Sequence, residues 1–537
     1  MCHDKEELLN GNRHRAGLPF EEPPPVRLVN KLSERNVKIE AGKRRYESDE
    51  VIRFEIPPLG LLEPRSTRLA VTISVRIKTL PAGRSLQLPL DFRTIFTRAR
   101  LLLGRTTILQ DINEYGMLCK LVTLMYSDVS DYFSSDSTLR GIQTESGLTN
   151  LLPGTRSRLN YHNYEFKSVS GVDQFGVVPR RYMGELNLGL FNQASYIPLH
   201  LLKQPLILEL TIGKMLEIIY FNTSAGDTPI TGGEIVVTNP ELQLTFQSSS
   251  FMENQEWAAL MASRKLKYHY ISWDHRQFPL NVNLARHRLV IPTFRRRLKY
   301  ALAILRSGND LENTVSDSTN TYLSLDPRTG NTGSGGTTYY ESTIAVRTAL
   351  KSYQWSLGNQ FVSPDRPVKV VEIDRLPYDD KTNPEMGYTG QATEAFYHLL
   401  RVIGKTNGSL SYNQEFPWGY HETGVSGDIA DRDTPIFSNK LNVTTTYNSG
   451  VPATNELRAY TSFFVMAGKF FNETADGAVE YLDGKGNNDK LVLNLEFNNG
   501  YVANSFNTTT WKPYCDVFVA YDTRLEISDT GDIMLDA

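Results

Sequence analysis

"GLFNQASYIPLHLLKQPLILELTIG", residues 189–213, is rich in apolar residues and divided by two prolines. It reads as a strand, a break at Pro198, a short apolar link and a second strand after Pro205. Proline has no amide donor, so each marks a place where ladder pairing stops. Apart from one histidine and one glutamate, the stretch carries no residue type common in catalysis. Its pattern is that of a corner between two strands.

Working outward, strand patterns dominate. In "LAVTISVRI" Leu69, Val71, Ile73, Val75 and Ile77 fall on one face, and Ala70, Thr72, Ser74 and Arg76 on the other, which is the period of a half-buried strand. "LQLTF" repeats it with Leu242, Leu244 and Phe246, and "LVLNLEF" with Leu491, Leu493, Leu495 and Phe497. "CDVFVAY" (515–521) and "RLEIS" (524–528) read as a last pair joined by "DT". With 27 Tyr, 24 Phe and many Gly/Asn/Asp/Ser/Thr turn clusters, the chain reads as mainly β.

Three helical patterns interrupt the strands. "DINEYGMLCKLVTL" (111–124) opens with Asp111 and Glu114 at capping-box spacing and stacks Ile112, Tyr115, Leu118 and Val122. "SFMENQEWAALMASRK" (250–265) has the same signature in Ser250 and Glu253, with a stripe of Trp257, Leu260 and Met261. "QATEAFYHLLRVIG" (391–404) aligns Ala395, Phe396, Leu399, Leu400 and Ile403 before Gly404. The middle helix lies between a strand set ending at "ELQLTF" and one beginning at "KLKYHYISW". Each set holds one further helix. The expected plan is therefore two β units of similar design: an arm at 1–48, a first unit at 49–248, a helical connector at 249–265 and a second unit at 266–537. The arm contains "EEPPPV" (21–26), which favours an extended conformation; it reads either as a tether to neighbouring subunits or as a disordered tail. Polar stretches at 126–160, 306–340 and 405–450 read as surface loops.

The 537-residue chain can bury a large core without disulfide staples. A net charge of −3 argues against coating nucleic acid by bulk charge. Cys2, Cys119 and Cys515 are far apart, so neither a disulfide framework nor a zinc knuckle is indicated. The opening "MCHDKEELLNGNRHR" lacks the apolar run of a secretory signal, and no stretch of about 18 apolar residues predicts a membrane span. Sequons at Asn222, Asn407, Asn442, Asn472 and Asn507 read as unmodified without a signal peptide.

Enzyme chemistry is scarce. No HExxH, GxSxG or DxDxDG pattern occurs. "GKT" (404–406) is not a P-loop, because Leu399 stands where the motif needs glycine. His269, His275 and His287 fall in one region, but a zinc site there would need spatial convergence. Asp379 with Asp380, and Asp431 with Asp433, read as turn residues. "FRRRLKY" (294–300) is the one dense basic run, a candidate contact for nucleic acid or an acidic neighbour, or a solvated strand. These residues predict no catalytic, metal or cofactor site, and no enzyme.

The segments in order resemble the double jelly-roll major capsid proteins of virophages and polinton-like viruses, which are related to the adenovirus hexon. "GLFNQASYIPLHLL" followed by "LILELTIG" looks like the end of that family's first barrel. "KSYQWSLGNQFVSPDRPVKV" (351–370) with the helix at 391–404 looks like its second barrel. "VIRFEIPPLGL" (51–61) resembles the first-barrel opening and "VFVAYDTRLEISDTGDI" the closing hairpin. The resemblance implies two eight-stranded antiparallel jelly-roll barrels in tandem, with a few short helices in loops and linker. It implies a structural protein that forms homotrimers, pseudo-hexameric capsomers tiling an icosahedral shell of a double-stranded DNA virus. The implied partners are itself, neighbouring capsomers, penton and minor or cement proteins, and a host receptor through outer loops, with no specific nucleic-acid site. The implied location is the virion, assembled inside the host cell.

The alternative is a carbohydrate-binding or carbohydrate-active β-sandwich, since jelly rolls also build lectins. Trp418 in "EFPWGYHE", with Glu415 and Glu422, is its best patch. A receptor-binding or minor capsid component would usually hold one barrel, and this chain reads as two.

Overall fold

The computed structural model describes residues 34–77, 85–89, 92–126, 161–165, 174–218, 220–221, 233–247, parts of 255–263, 266–281, 284–293, 295–307, 350–358, 360–362, 366–369, parts of 398–402, 465–473, 479–481, 490–497, 513–528 and 531–536. Antiparallel sheets dominate them.

The N-terminal half is built on β1 (Glu34–Glu40), β2 (Val51–Ile56), β3 (Leu61–Ile77), β4 (Phe96–Leu103), β5 (Thr107–Asn113), β6 (Gln174–Gly184), β7 (Leu206–Ile212) and β8 (Gly233–Gln247). One sheet has β8 between β1 and β3, with β6 on the far side of β3; the other runs β2-β7-β4-β5. The C-terminal half is built on β9 (Lys267–Pro279), β10 (Arg286–Ile291), β11 (Leu298–Ser307), β12 (Leu350–Leu357), β13 (Gln360–Phe361), β14 (Met466–Lys469), β15 (Leu491–Phe497) and β16 (Pro513–Ile527). Its sheets run β9-β16-β11-β14 and β10-β15-β12-β13. Strand for strand, the order of the first half recurs in the second.

The recurrence extends to register. "LILELTI" (β7) sets Leu206 opposite Ile56 and Leu103. "LVLNLEF" (β15) sets Leu491 opposite Ile291 and Leu357. The residue after β4 is Gly104 and the residue after β12 is Gly358, both left-handed at φ 60° and 57°, where a side chain is strained. Gly104 N–H donates to Pro205 O, and Gly358 N–H to Lys490 O, in each case the residue before the matching strand.

Alternation forms the core. Ile52, Phe54 and Ile56 point inward while Val51, Arg53 and Glu55 face out. The expected face of Leu69, Val71, Ile73 and Val75 is buried. Trp355 and Tyr353 fill the second sandwich, and the buried apolar side chains form one cluster that continues through both halves. Helix α1 (Tyr115–Tyr126) packs Tyr115, Leu118 and Val122 inward. Burial pushes the Tyr115 phenol well above its ordinary value, and its oxygen accepts from Asn187 N–H at 2.8 Å. Asn187 Oδ1 accepts in turn from buried Arg93 at 2.8 Å.

Several expectations are corrected. Residues 34–40, assigned to the arm, are strand β1, paired along its length with β8. Only Val37 and Ile39 of "ERNVKIE" are apolar, so the strand is held by its ladder at a sheet edge and carries little hydrophobic signature. Residues 1–33 lie outside the described residues. Gly189–Asn192 is a 3-10 turn, not a strand. The corner contributes only Ile197–Pro198 to a sheet, opposite Leu62 and Leu61, before β7 begins. Asp111 caps no helix. It lies in β5, bound by Arg98 Nε and Nη2 at 2.7 and 2.6 Å, and Glu114 (φ 54°) makes the strand-to-helix bend. Residues 513–527 form one continuous strand, because Asp522, read as part of a turn, is buried beside His269 and Arg297. The closing hairpin comes later, where Ile533–Asp536 folds back on Arg524–Ile527. Within 255–263 the described residues include helical turns, with Trp257 buried. Of the helix expected at 391–404, the described residues are helical and Leu399 is buried.

Candidate functional site: the junction between the two sandwiches

The corner quoted at the outset meets the second sandwich. Two strand edges approach here: β5 of the first sandwich and β9 of the second, with the 189–203 corner beside them. An edge strand exposes unpaired amides and carbonyls. At this edge, side chains satisfy them.

Gln110 on β5 is buried. Its Nε2 donates to Ile271 O at 3.1 Å and to Ser272 Oγ at 3.3 Å, both on β9. Its Oε1 accepts from Leu190 N–H at 3.3 Å, in the corner. One amide thus ties three segments together. Gln193, also buried, donates to His269 O at 2.6 Å and to Gly189 O at 3.4 Å. Two tyrosines of β9 reach back: Tyr270 donates to Leu109 O at 3.1 Å and Tyr268 to Tyr196 O at 2.7 Å. Burial pushes both phenols far above their ordinary value, so they act as neutral donors. Gly189 lies so close to the Ile271 backbone that any Cβ would collide with its carbonyl. At the rim, Lys203 Nζ meets Asp532 at 2.7 Å, and Lys203 N–H donates to Gly531 O at 3.4 Å.

Buried polar groups joined in this way fix a geometry, because each stranded partner would cost about 1–3 kcal/mol. The junction holds two sandwiches at a set angle.

Several solved structures similar to this chain are viral. They include a chain of the Sputnik virophage (11% identity, TM-score 0.49, covering 97% of this chain and 93% of that one). They also include the mavirus major capsid protein (11%, 0.47, 97% and 95%) and a chain of the PBCV-1 virus capsid (10%, 0.49, 95% and 98%). No protein-family model matches the chain, and no curated protein matches it.

The residues singled out from sequence go to separate places. His269 Nδ1 lies 3.1 Å from Asp522, His275 Nε2 2.9 Å from fully buried Asp516, and His287 Nε2 3.1 Å from Leu284 O. The three histidines do not converge, and among the described residues no group of three His, Cys, Asp or Glu is placed to hold a metal ion. In the basic run, Arg295 grips Asp274 at 3.1 and 3.3 Å and lies 4.4 Å over the Tyr521 ring. Arg297 reaches Asp522 at 3.8 Å, Lys299 is buried, and Arg296 is exposed. Most of that run is therefore internal structure. Cys119 and Cys515 are buried, and neither forms a disulfide among the described residues. Burial, then neighbouring Asp516, pushes the Cys515 thiol well up. Trp257, Trp273 and Trp355 are buried. The patch of Glu415, Trp418 and Glu422, the Asp379–Asp380 and Asp431/Asp433 pairs, the "GKT" segment and Cys2 lie outside the described residues. Among the described residues no helix is long and apolar enough to cross a membrane.

Sequence reasoning missed the junction. Gln110 and Gln193 are ordinary amides in apolar company, and their partners are backbone atoms far along the chain. The one usable signal was the likeness of "LILELTI" to "LVLNLEF", which marks equivalent strands.

Proposed function

We propose that this chain is the structural subunit of an icosahedral viral shell, a double jelly-roll major capsid protein. The observation that carries the reading is the strand order: first-eighth-third-sixth in one sheet and second-seventh-fourth-fifth in the other, twice in one chain and with matching register. That order is the one an eight-stranded jelly roll requires. The first barrel runs from residue 34 to 247 and the second from 266 to 536, with the helical segment between them as connector. Two upright barrels held at a fixed angle give one chain two similar faces, and three such chains close into a ring of six barrels. A near-hexagonal block of that kind tiles a flat facet. The subunit works by shape and contact, not by turnover, and its place is the virion. Its partners are two copies of itself, neighbouring capsomers, and the penton and minor or cement proteins that fill the gaps; the outer loops are where a host receptor would bind.

Electron microscopy of the purified, assembled protein tests the reading. Capsomers with three towers, packed in hexagonal arrays, are expected. Isolated single-chain particles under all assembly conditions would contradict it.

A further inference from the structure

The outward face of the β2-β7-β4-β5 sheet carries a charge row that spans all four strands. Arg53 stands opposite Glu209, Glu209 opposite Arg100, and Arg100 opposite Asp111. The signs read plus, minus, plus, minus across the sheet. Within the chain, Arg100 meets Glu209 at 3.2 Å and Asp111 at 3.7 Å, so the row is preformed. On one side lies the row Val51, Thr211, Arg98, Asn113; on the other lies Glu55, Ile207, Leu102, Ile108. The face is open at its edges, where Val51 is 48% and Ile108 44% exposed, while Ile207 and Leu102 at the centre of one row are buried within the chain. The matching face of the second sandwich differs. There Ser352, Gln354 and Ser356 on β12 are all buried, and its middle row, Arg288, Asn494 and Gln354, has no alternation of charge.

An even, alternating row is its own complement under one symmetry operation. A two-fold axis parallel to the strands, passing between β7 and β4, reverses the strand order and keeps the rows level. It sets Arg53 against Asp111 of a second copy and Glu209 against Arg100. A two-fold axis across the strands would instead put each charge on itself. A three-fold axis cannot bring a face against its own copy at all, because only two-fold contacts are isologous. The axis along the strands also leaves both copies the same way up, as two units standing on one shell must be.

We infer that this face is the two-fold contact between neighbouring capsomers, with a second copy of this chain as its occupant. The inference rests on the capsid reading and assigns one of its contacts. Four strands about 4.8 Å apart and three rows give roughly a few hundred Å² per partner. That is well below the ~1,000 Å² total of a stable free complex, so the contact acts only when repeated across a lattice. Opposed charges set its register and exclude mismatched approaches.

The test uses the full-length protein. Arg53 is exposed, so Arg53→Glu folds and places two acids face to face on each side of the axis. Capsomer mass is read by light scattering, and the onset of array formation by turbidity and electron microscopy against protein concentration. Arg53→Glu is expected to keep the wild-type capsomer mass and raise the onset concentration by ~10-fold or more. Arg53→Lys is expected to match wild type, and Arg53→Asn to fall between. An unchanged onset in Arg53→Glu, or loss of the capsomer itself, overturns the assignment while leaving the capsid reading intact. A wild-type protein that stays a single chain overturns the capsid reading, and this contact with it.

Discussion

Gln110 of the first sandwich donates to the carbonyl of Ile271 in the second at 3.1 Å, in a position closed to solvent. No ladder hydrogen bond joins the two strands that carry them. Side chains do the work of a ladder here, Gln110 reaching from β5 and Tyr270 from β9, beside the 189–203 corner. The corner is therefore the abutment on which the second sandwich rests.

Gln110→Leu keeps the approximate size and removes both donors and the acceptor. Leu190 N–H and Ile271 O then lose their partner, and stability is expected to fall by about 1–3 kcal/mol. Urea denaturation followed by fluorescence would measure it. A shift no larger than that of an exposed control substitution would remove the junction from the account.

Gly189→Ala drives a methyl into the Ile271 backbone. The corner must move, and the coupling between sandwiches goes with it. Wild type is expected to melt in one calorimetric transition and the variant in two. A single transition of unchanged midpoint in the variant would show that the close approach carries no coupling.

Arg295 holds Asp274 through two nitrogens and stacks on Tyr521. Arg295→Lys keeps the charge but loses the planar fork. The expected cost is about 1–2 kcal/mol, read from denaturant midpoints, with no effect on the first sandwich's hydrogen-exchange pattern. Equal stability would mean the guanidinium is solvated instead of gripped.

Burial holds the His287 imidazole below its ordinary value of 6.5, partly offset by its hydrogen bond to Leu284 O. The unfolded chain therefore takes up this proton first. The contribution of His287 is complete above pH 6.5 and is lost as pH falls through its folded value. His287→Gln should flatten the fall in stability below pH 6.5. An identical slope in wild type and variant would show that another group sets it.

Much of the fold is legible in particular residues. Leu69, Val71, Ile73 and Val75 alternate because one face of β3 is buried, and "LVLNLEF" announces β15 for the same reason. Asp522 misled because a polar residue next to threonine reads as a turn, whereas here His269 and Arg297 make its burial tolerable. Leu190 and Phe191 misled in the opposite way: an apolar pair in a 3-10 turn looks like strand. Strand β1 was hidden by its charges. The junction was illegible because Gln110 and Gln193 act on backbone atoms that only the fold brings near, and backbone atoms leave no mark on a sequence.

The molar mass of the native protein in dilute buffer bears most directly on the capsid reading. Multi-angle light scattering at micromolar concentration should return three times the 60.7 kDa of one chain, unchanged on tenfold dilution. A mass of 60.7 kDa that persists as concentration rises would mean that the twin sandwiches do not close into a ring, and the shell-building role would be refuted.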